Sequence, residues 1–492
     1  MAHLDEVRAL LAAAAALLAA LGPALSASLR HKLLGALVVA GLALTATAAL
    51  GPPDSYDAVH HYLGARYVDE LGYDGLYPAL VAADEERALG LFEGATRVRL
   101  RDERVVSMDE AGNLGRQVHE QRFTRARWQA FGDDLAALAT QRRSTRAWRS
   151  LLIDHGLNAP PGWLLLGGNL AALTPPGGLA LLCKLDVVLL AGALWLLRRT
   201  LGVEVAAWTA LYLLTAYTTR WPGLGAGVLR YDYLAALLAA VALAHDGRER
   251  AAGALVGLAT ALRFFPALWL LPLAAQVTRR SGARRALTAA LLSAGLLLAL
   301  SSAQRGVDIV PASVHHLVVH SAPEHTTSRR VGLATALAAW DERASPILTK
   351  AHRRQRAERG PWVLALGVGL TALLVGSARR QRLGAALELG PLALFLLATP
   401  SYYYFAVCAT LIVRHARLRQ GLVLAWLFAT EAGTSALAAL APEAPRLQGS
   451  ALSLGLCAYV LWQLWAALRG EAAPCQDKNG SRAPDLASQV GL

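Results

Sequence analysis

Long apolar runs alternate with polar segments along most of the chain. The runs consist mainly of alanine and leucine, which favour helices, and many approach the length of about 20 residues that a helix needs to cross a bilayer. Spans are predicted near 33–50, 178–197, 203–219, 229–245, 286–302, 361–377, 383–398, 402–413, 421–438 and 450–468. Because the runs lack the strict alternation of barrel strands, the pattern predicts an all-α polytopic membrane protein.

Composition supports this class and narrows the partners. With 55% hydrophobic and 17% charged residues and a mean hydropathy of +0.37, the chain cannot bury its apolar surface in one water-soluble core. The net charge of +13 would suggest nucleic acid in a soluble protein. Most basic clusters lie beside apolar runs, however, where the positive-inside rule accounts for them. We therefore predict no nucleic-acid partner.

The four cysteines give no metal or disulfide signal. They are far apart in the sequence, without a CxxC pair or a His/Cys ligand spacing. The sequence predicts neither a disulfide framework nor a metal site, and no cofactor, although metal dependence stays open.

The basic clusters divide the chain into three predicted regions. Residues 1–32 form an N-terminal anchor or interfacial helix, and residues 33–468 form the transmembrane domain. That domain includes a long first extracytoplasmic loop, 52–160, and a second outer segment, 303–360. Residues 469–492 are polar and predict a disordered cytoplasmic tail. Whether the first apolar run crosses the membrane or lies along its surface stays open.

The polar stretch that follows the run 33–50 has the composition of a site. Two carboxylates, Asp54 and Asp57, and two imidazoles, His60 and His61, stand with four tyrosines within about one helix length of a membrane exit. An ordinary loop needs only turn residues and solvated groups. Two plainer interpretations remain: an interfacial tyrosine belt with solvated acids, or Asp57 as the cap of a helix that begins near Ala58.

A broken apolar segment places an arginine at membrane depth. The pieces 253–262 and 266–277 are each too short to cross alone, and basic clusters flank them at both outer ends. This pattern predicts a helical hairpin with Arg263 at its tip, because Pro266 interrupts the helix. An arginine in lipid needs an anionic partner. The alternative is that Arg263 snorkels or pairs with a structural acid.

Further polar residues are predicted at the same outer face. They are Arg220, Arg230 and Asp232 at one turn, His315, His316, His320 and His325 in the second outer segment, and the triplet Tyr402–Tyr404. For His315, His316 and His320 an interfacial position fits equally well.

Several of these motifs together resemble a known enzyme family. Asp57-Ala-Val-His-His-Tyr62, followed by Gly72 and then Gly75-Leu-Tyr77, is similar to the opening motif of polyprenyl-phosphate-sugar-dependent glycosyltransferases with the GT-C fold. The segment from Gly253 through Arg263 to Pro266 resembles a motif of glycosyltransferase family 87, an α-mannosyltransferase-like group, and the tyrosine triplet resembles a later one. The resemblance extends from residue 33 to about 468.

The resemblance implies a GT-C-like bundle of about 11–13 transmembrane helices in the inner (plasma) membrane, with its active site on the periplasmic or extracellular face. It implies transfer of a sugar, with mannose suggested, from a polyprenyl-phosphate carrier to a lipid, glycan or protein acceptor. Asp57 would be the catalytic base. The predicted substrate-binding residues are Asp54, His60, His61, Tyr62, Arg230, Arg263, His320, His325 and Tyr403. The alternatives are a transporter or flippase of lipid-linked saccharides and a polysaccharide ligase or polymerase.

Overall fold

The computed structural model describes residues 2–140, 145–322, 325–341 and 345–469. Within these ranges the regular secondary structure is helical apart from one small antiparallel strand pair, Arg97–Arg99 with Val105–Ser107, and an isolated β-bridge between Arg330 and Ser401. The predicted tail, from residue 470 onward, lies outside the described residues.

Seven of the described helices are long and apolar enough to cross a membrane. They are Ala2–Leu21, Ala27–Leu50, Leu179–Leu201, Ser281–Arg305, Lys350–Ala378, Gly421–Leu440 and Pro445–Leu468. Four shorter apolar helices accompany them: Val203–Thr215, Asp232–His245, Phe265–Gln276 and Leu383–Leu397. The prediction of an all-α polytopic membrane protein is confirmed.

The other helices connect or complete the bundle. They are Gly22–Ala24, Ser55–Asp57, Ala58–Leu63, Gly64–Arg66, Val68–Leu71, Leu76–Arg87, Met108–Arg122, Arg125–Ala139, Thr145–Leu151, Pro161–Trp163, Leu164–Gly168, Asn169–Leu173, Pro176–Gly178, Tyr217–Thr219, Glu249–Leu262, Ile309–Ser321, Leu333–Ala338, Tyr402–Cys408 and Ala409–Arg417.

The long and short apolar helices differ in what surrounds them. Ser281–Arg305 exposes leucines such as Leu292 on one side, as expected of a helix that faces lipid. Asp232–His245 is buried along nearly its whole length. Short helices of this kind fill the interior of the bundle, so they need not match the bilayer thickness.

A seam of small residues fixes the helix that leads to Arg263. Gly253 and Gly257 of Glu249–Leu262 face Ala286 and Ala290 of Ser281–Arg305. A Cβ at either glycine would lie well inside contact distance of the facing alanine carbonyl oxygen. Small residues four apart allow this close approach of two membrane helices, and the approach holds the end of the helix, just before Arg263, in one position.

The first apolar run is one of the helices that pack together in the bundle. Ala2–Leu21 packs along Gly421–Leu440, and the Asp5 carboxylate contacts Arg220 (Oδ2 to Nη1, 2.5 Å). The start of this helix therefore lies at the same end of the bundle as Arg220.

The predicted loop 52–160 is a folded unit, which we call the loop unit. Its main helices are Leu76–Arg87, Met108–Arg122 and Arg125–Ala139, around buried aromatic residues that include Trp128 and Phe131. At the opposite end of the bundle, ion pairs connect several predicted cytoplasmic clusters, for example Arg30 with Glu204 at 3.2 Å and Arg417 with Glu388 at 2.8 Å. The predicted domain division itself stays a prediction.

Candidate active site

The segment after Ala27–Leu50 turns two adjacent histidines toward one cavity. Asp54 caps the new helix, since its carboxylate accepts a hydrogen bond from the Asp57 N–H at 2.9 Å. Asp54, and not Asp57, is thus the capping residue. The turn widens into a π-helix over Ala58–Leu63, a local geometry that often occurs at functional sites. Within it His60 and His61 both line the cavity.

Asp57 is fully buried and has three polar neighbours. Its Oδ2 accepts the Val228 N–H at 2.6 Å, while its Oδ1 lies 3.0 Å from Arg230 Nη1 and 3.1 Å from His61 Nδ1. The pair with Arg230 joins residues 173 positions apart. Asp57 therefore lies behind His61 and Arg230, which themselves form part of the cavity wall.

These neighbours decide the charge of the carboxylate. Burial alone would raise the pKa of Asp57, but His61, Arg230 and the Val228 N–H outweigh it and hold that pKa below its usual range. His61 lowers the pKa of Asp57 most when it is protonated. Burial, however, lowers the pKa of His61 itself and favours its neutral form. We assign His61 as neutral, since Arg230 already supplies the counter-charge. Asp57 is then an ionised carboxylate paired with Arg230.

The cavity consists of two connected chambers. The larger, about 650 Å³, is lined mainly by polar and aromatic residues such as Thr45, Tyr56 and Trp221. The smaller, about 340 Å³, reaches Arg263 and the apolar side chains of Phe265 and Leu268. Seven residues line both chambers: His61, Asn158, Arg230, His320, Arg330, Ser401 and Tyr403.

Arg263 lies at the predicted helix break and borders the smaller chamber. It follows Glu249–Leu262 directly, and only 6% of its surface is exposed. Its guanidinium donates to the carbonyl oxygens of Leu262 (2.8 Å) and Leu229 (3.2 Å). Trp163 and Tyr233 present their rings to it at 5.7 and 5.8 Å. None of its hydrogen bonds within the described residues goes to a carboxylate, although the buried Asp232 carboxylate is near enough to interact with it electrostatically.

The predicted substrate-binding residues separate into two groups. His60, His61, Arg230, Arg263, His320 and Tyr403 line the chambers. Asp54, Tyr62 and His325 do not belong to these walls as far as the chain is described. Tyr62 is turned away and donates to the Thr174 carbonyl at 2.8 Å, and His325 lies 3.6 Å from Glu103. Their predicted roles remain untested.

The tyrosines near Asp57 do not form an interfacial belt. Tyr62, Tyr73 and Tyr77 are buried. Tyr73 donates to the Ala159 carbonyl at 2.8 Å, and the Tyr77 hydroxyl lies 2.7 Å from His60 Nε2. The hydrogen bonds of Tyr73 and Tyr77 connect the interior of the loop unit to Ala159 and His60, which line the cavity.

His320 belongs to a histidine–glutamate cluster, formed by Glu103, His155 and His320. Atoms of these residues that could ligate a metal lie within 4.8 Å of one another. However, Arg99 Nη1 donates to Glu103 at 2.8 Å, and Arg330 Nη2 lies 2.9 Å from His320 Nε2. Two guanidiniums at this range would repel a divalent cation. A hydrogen-bonded network therefore fits these residues better than a metal centre, and metal independence stays a prediction.

Sequence reasoning did not single out several of the wall residues. These are Asp5, Arg8, Asp154, His155, Asn158 and Trp221. Asp154 matters for the chemistry because it is a carboxylate in the wall of the larger chamber itself, and burial raises its pKa. Nδ1 of its neighbour His155 lies 2.7 Å from Oε1 of Glu103, within hydrogen-bond distance. Only their position at the end of the long polar loop gave any signal.

One comparison with known proteins gives a match. Residues 159–400, about half of the chain, match the sequence profile of glycosyltransferase family 87. The range contains Arg230, Arg263 and His320, whereas Asp57 lies before it. No curated protein and no solved structure matches the chain significantly. With its bundle of apolar helices, the chain therefore belongs to glycosyltransferase family 87 and is a multi-pass membrane enzyme that transfers a sugar from a donor to an acceptor.

Proposed function

We propose that the enzyme transfers a sugar, with mannose the first to be tested, from a polyprenyl-phosphate carrier to a lipid, glycan or protein acceptor. The observation that carries this proposal is Arg263, a buried guanidinium at a break between membrane helices, bound by carbonyl oxygens and aromatic rings. A buried cation is stabilised by an anion; Asp232 acts on Arg263 only electrostatically, and the donor phosphate supplies an anion that its guanidinium can hydrogen-bond. Arg230 and Arg330 border the same chamber.

The smaller chamber suits the donor. Its arginines lie beside Phe265, Leu268 and Leu394, so a phosphate and the first apolar carbons of a prenyl chain have complementary surfaces next to each other. The larger chamber, whose wall includes Thr45, Tyr56 and Trp221, is then left for the sugar and the acceptor hydroxyl. The seven residues common to both chambers lie where the two substrates would meet.

The reaction is a single displacement at the anomeric carbon with inversion. The acceptor oxygen forms a bond to that carbon, and the bond from the carbon to the phosphate oxygen breaks with its electron pair on the leaving polyprenyl phosphate. Asp57 accepts the proton of the acceptor hydroxyl. Arginines stabilise the charge on the leaving phosphate.

Arg230 couples donor binding to the strength of this base. While it is paired with Asp57 at 3.0 Å, it lowers the proton affinity of the carboxylate. A donor phosphate in the chamber competes for the same guanidinium. When Arg230 turns to the phosphate, Asp57 loses its counter-charge, becomes a stronger base and is uncovered toward the acceptor.

We propose that the cavity faces the periplasm or the cell exterior. Most basic clusters beside the apolar helices lie at the opposite end of the bundle, which the positive-inside rule assigns to the cytoplasm; the basic stretch 352–359 is the exception and lies on the cavity side. Single cysteines at Arg116 and His325 should react with an impermeant thiol reagent in whole cells, whereas those at Arg248 and Arg379 should not. The reverse labelling pattern would overturn this orientation.

Reconstituted enzyme tests the donor. Purified protein in liposomes is given radiolabelled polyprenyl-phosphate mannose, glucose or galactose with a membrane extract as acceptor, and products are separated by thin-layer chromatography. We expect transfer from at least one of these donors, and much less with Arg263→Ala. Transfer from a nucleotide sugar alone would refute the proposed donor class while leaving the enzyme a glycosyltransferase.

A further inference from the structure

A second polar groove lies beside the cavity, between the loop unit and the helix Ile309–Ser321. We call it the side groove. Its volume is about 430 Å³, which is within the range of about 300–1,000 Å³ typical of pockets for ligands larger than a single small ring. Its wall includes Asp74, Asp102, Gln117, Gln121 and His315.

The ionic groups of the side groove already have partners. Arg122 donates to Asp74 at 3.1 Å, and Arg104 lies 3.7 Å from Asp102. Arg101 is bonded to the Ala312 carbonyl and lies over a tyrosine ring. Since each arginine of the groove already contacts a carboxylate, a carbonyl oxygen or an aromatic ring, the groove suits a neutral polar ligand better than a phosphate.

His316 connects the side groove with the smaller chamber, because it lines both. Its ring stacks on Tyr73 with the planes 21° apart, and only 4% of its surface is exposed. Neither ring nitrogen has a hydrogen-bond partner among the described residues. A buried polar group left without a partner costs about 1–3 kcal/mol. A ligand group that can both donate and accept a hydrogen bond would remove this cost at His316.

We propose that the side groove binds the sugar chain of an oligosaccharide-bearing acceptor, and that His316 hydrogen-bonds one of its hydroxyls next to the transfer site. This inference rests on the proposed function, whose acceptor it specifies. A sugar hydroxyl both donates and accepts, which matches the two nitrogens of a neutral imidazole. Gln117 and Gln121, four residues apart on the helix Met108–Arg122, present their amides to the same groove.

Binding of neutral oligosaccharides tests the groove directly. Manno-, gluco- and galacto-oligosaccharides of one to four units are added to the purified full-length enzyme, and saturation-transfer NMR reports contact. We expect affinity for one series to rise with length. The double variant Gln117→Ala, Gln121→Ala should bind the longest oligosaccharides at least about tenfold more weakly than the wild type. The same loss of affinity is expected, separately, for His316→Leu. Gln129→Ala alters an exposed glutamine of the loop unit outside the groove and should change nothing.

The two proposals fail in different ways. Equal binding by wild type and the glutamine double variant, or no binding of any oligosaccharide by wild type, would overturn the side groove. The glutamines are exposed, so that double variant should fold even if His316→Leu does not. In transfer assays it should raise the KM for acceptor and leave the KM for donor unchanged. Oligosaccharide binding without transfer from any polyprenyl phosphate would overturn the donor and retain the groove.

Discussion

Replacing Asp57 by asparagine separates a catalytic carboxylate from a structural one. The substitution keeps the shape of the side chain and lets its oxygen accept the Val228 N–H, which lies at 2.6 Å. It removes the charge that faces Arg230 at 3.0 Å. Breaking one side of a buried ion pair costs about 3–5 kcal/mol, and the retained hydrogen bond returns about 1 kcal/mol. We therefore expect a loss of about 2–4 kcal/mol in stability.

The loss of activity should go well beyond that instability. Removal of a general base lowers the rate by about 10²–10⁴-fold, so the rate per folded molecule should fall by at least about a hundredfold. The assay combines initial transfer rates with the folded fraction from fluorescence size-exclusion chromatography and a thermal melt. Each rate is divided by the folded amount in the same sample.

Asp186→Asn is the matched control. Asp186 is also fully buried, and its carboxylate accepts the N–H groups of Arg230 (2.6 Å) and Tyr231 (3.0 Å) from the other side of the same loop. Asp186→Asn should be destabilised less than Asp57→Asn, because an asparagine oxygen can still accept these N–H groups, and it should keep most of its rate per folded molecule. If Asp57→Asn transfers as fast per folded molecule as Asp186→Asn, Asp57 is structural, and Asp154 in the chamber wall becomes the carboxylate to test.

Four further outcomes follow from the contacts. Arg263→Ala should raise the KM for donor about tenfold or more, and Arg263→Lys should retain part of the affinity because a point charge still pairs with phosphate; equal loss in both, with no accumulated protein, would indicate a structural role. Gly257→Ala should destabilise the enzyme by about 1–3 kcal/mol in a thermal melt, whereas Gly295→Ala, which has open space around it, should not. EDTA should leave the transfer rate unchanged, because the guanidiniums of Arg99 and Arg330 contact Glu103 and His320 where a metal would bind. A loss of activity in EDTA that zinc restores would contradict this. Asp57 must be ionised to act, and its pKa rises when Arg230 turns to the donor phosphate. Because kcat reports the substrate complex and kcat/KM the free enzyme, the acidic limb of kcat should lie at higher pH than that of kcat/KM. Coincident limbs would exclude the Arg230 coupling.

The fold class was readable from the sequence because a bilayer imposes a simple physical constraint. A span must be apolar over its length and satisfy its own backbone hydrogen bonds, and the basic clusters mark its ends. The same reasoning located Arg263, since a proline and an arginine inside an apolar segment demand a break and a partner. Short interior helices such as Val203–Thr215 were also found, because they are apolar on all sides.

The pairings inside the site could not be read in this way. Asp57 and Arg230 were both expected at the outer face, yet nothing local indicates that their side chains meet across 173 positions. Tyr62 shows the opposite limit: it belongs to the motif, but its position in the turn directs it to Thr174 and away from the chambers. Such directions depend on local helix geometry and on tertiary contacts, neither of which hydropathy reports.

The two π-helical turns, Ala58–Leu63 and Leu164–Gly168, contact each other. The number of residues in each turn therefore matters for the geometry of the site, in addition to their identity. A π-turn accommodates one residue more than the α-helical register. Deleting a single residue such as Val59 would let the segment close into a regular helix, in which Asp57 and His61 stand three positions apart instead of four and change their angle to each other around the helix axis. Asp57 would then leave the Val228 N–H and Arg230 although no residue of the site had been exchanged. Insertions and deletions here should therefore be as damaging as substitution of the carboxylate itself.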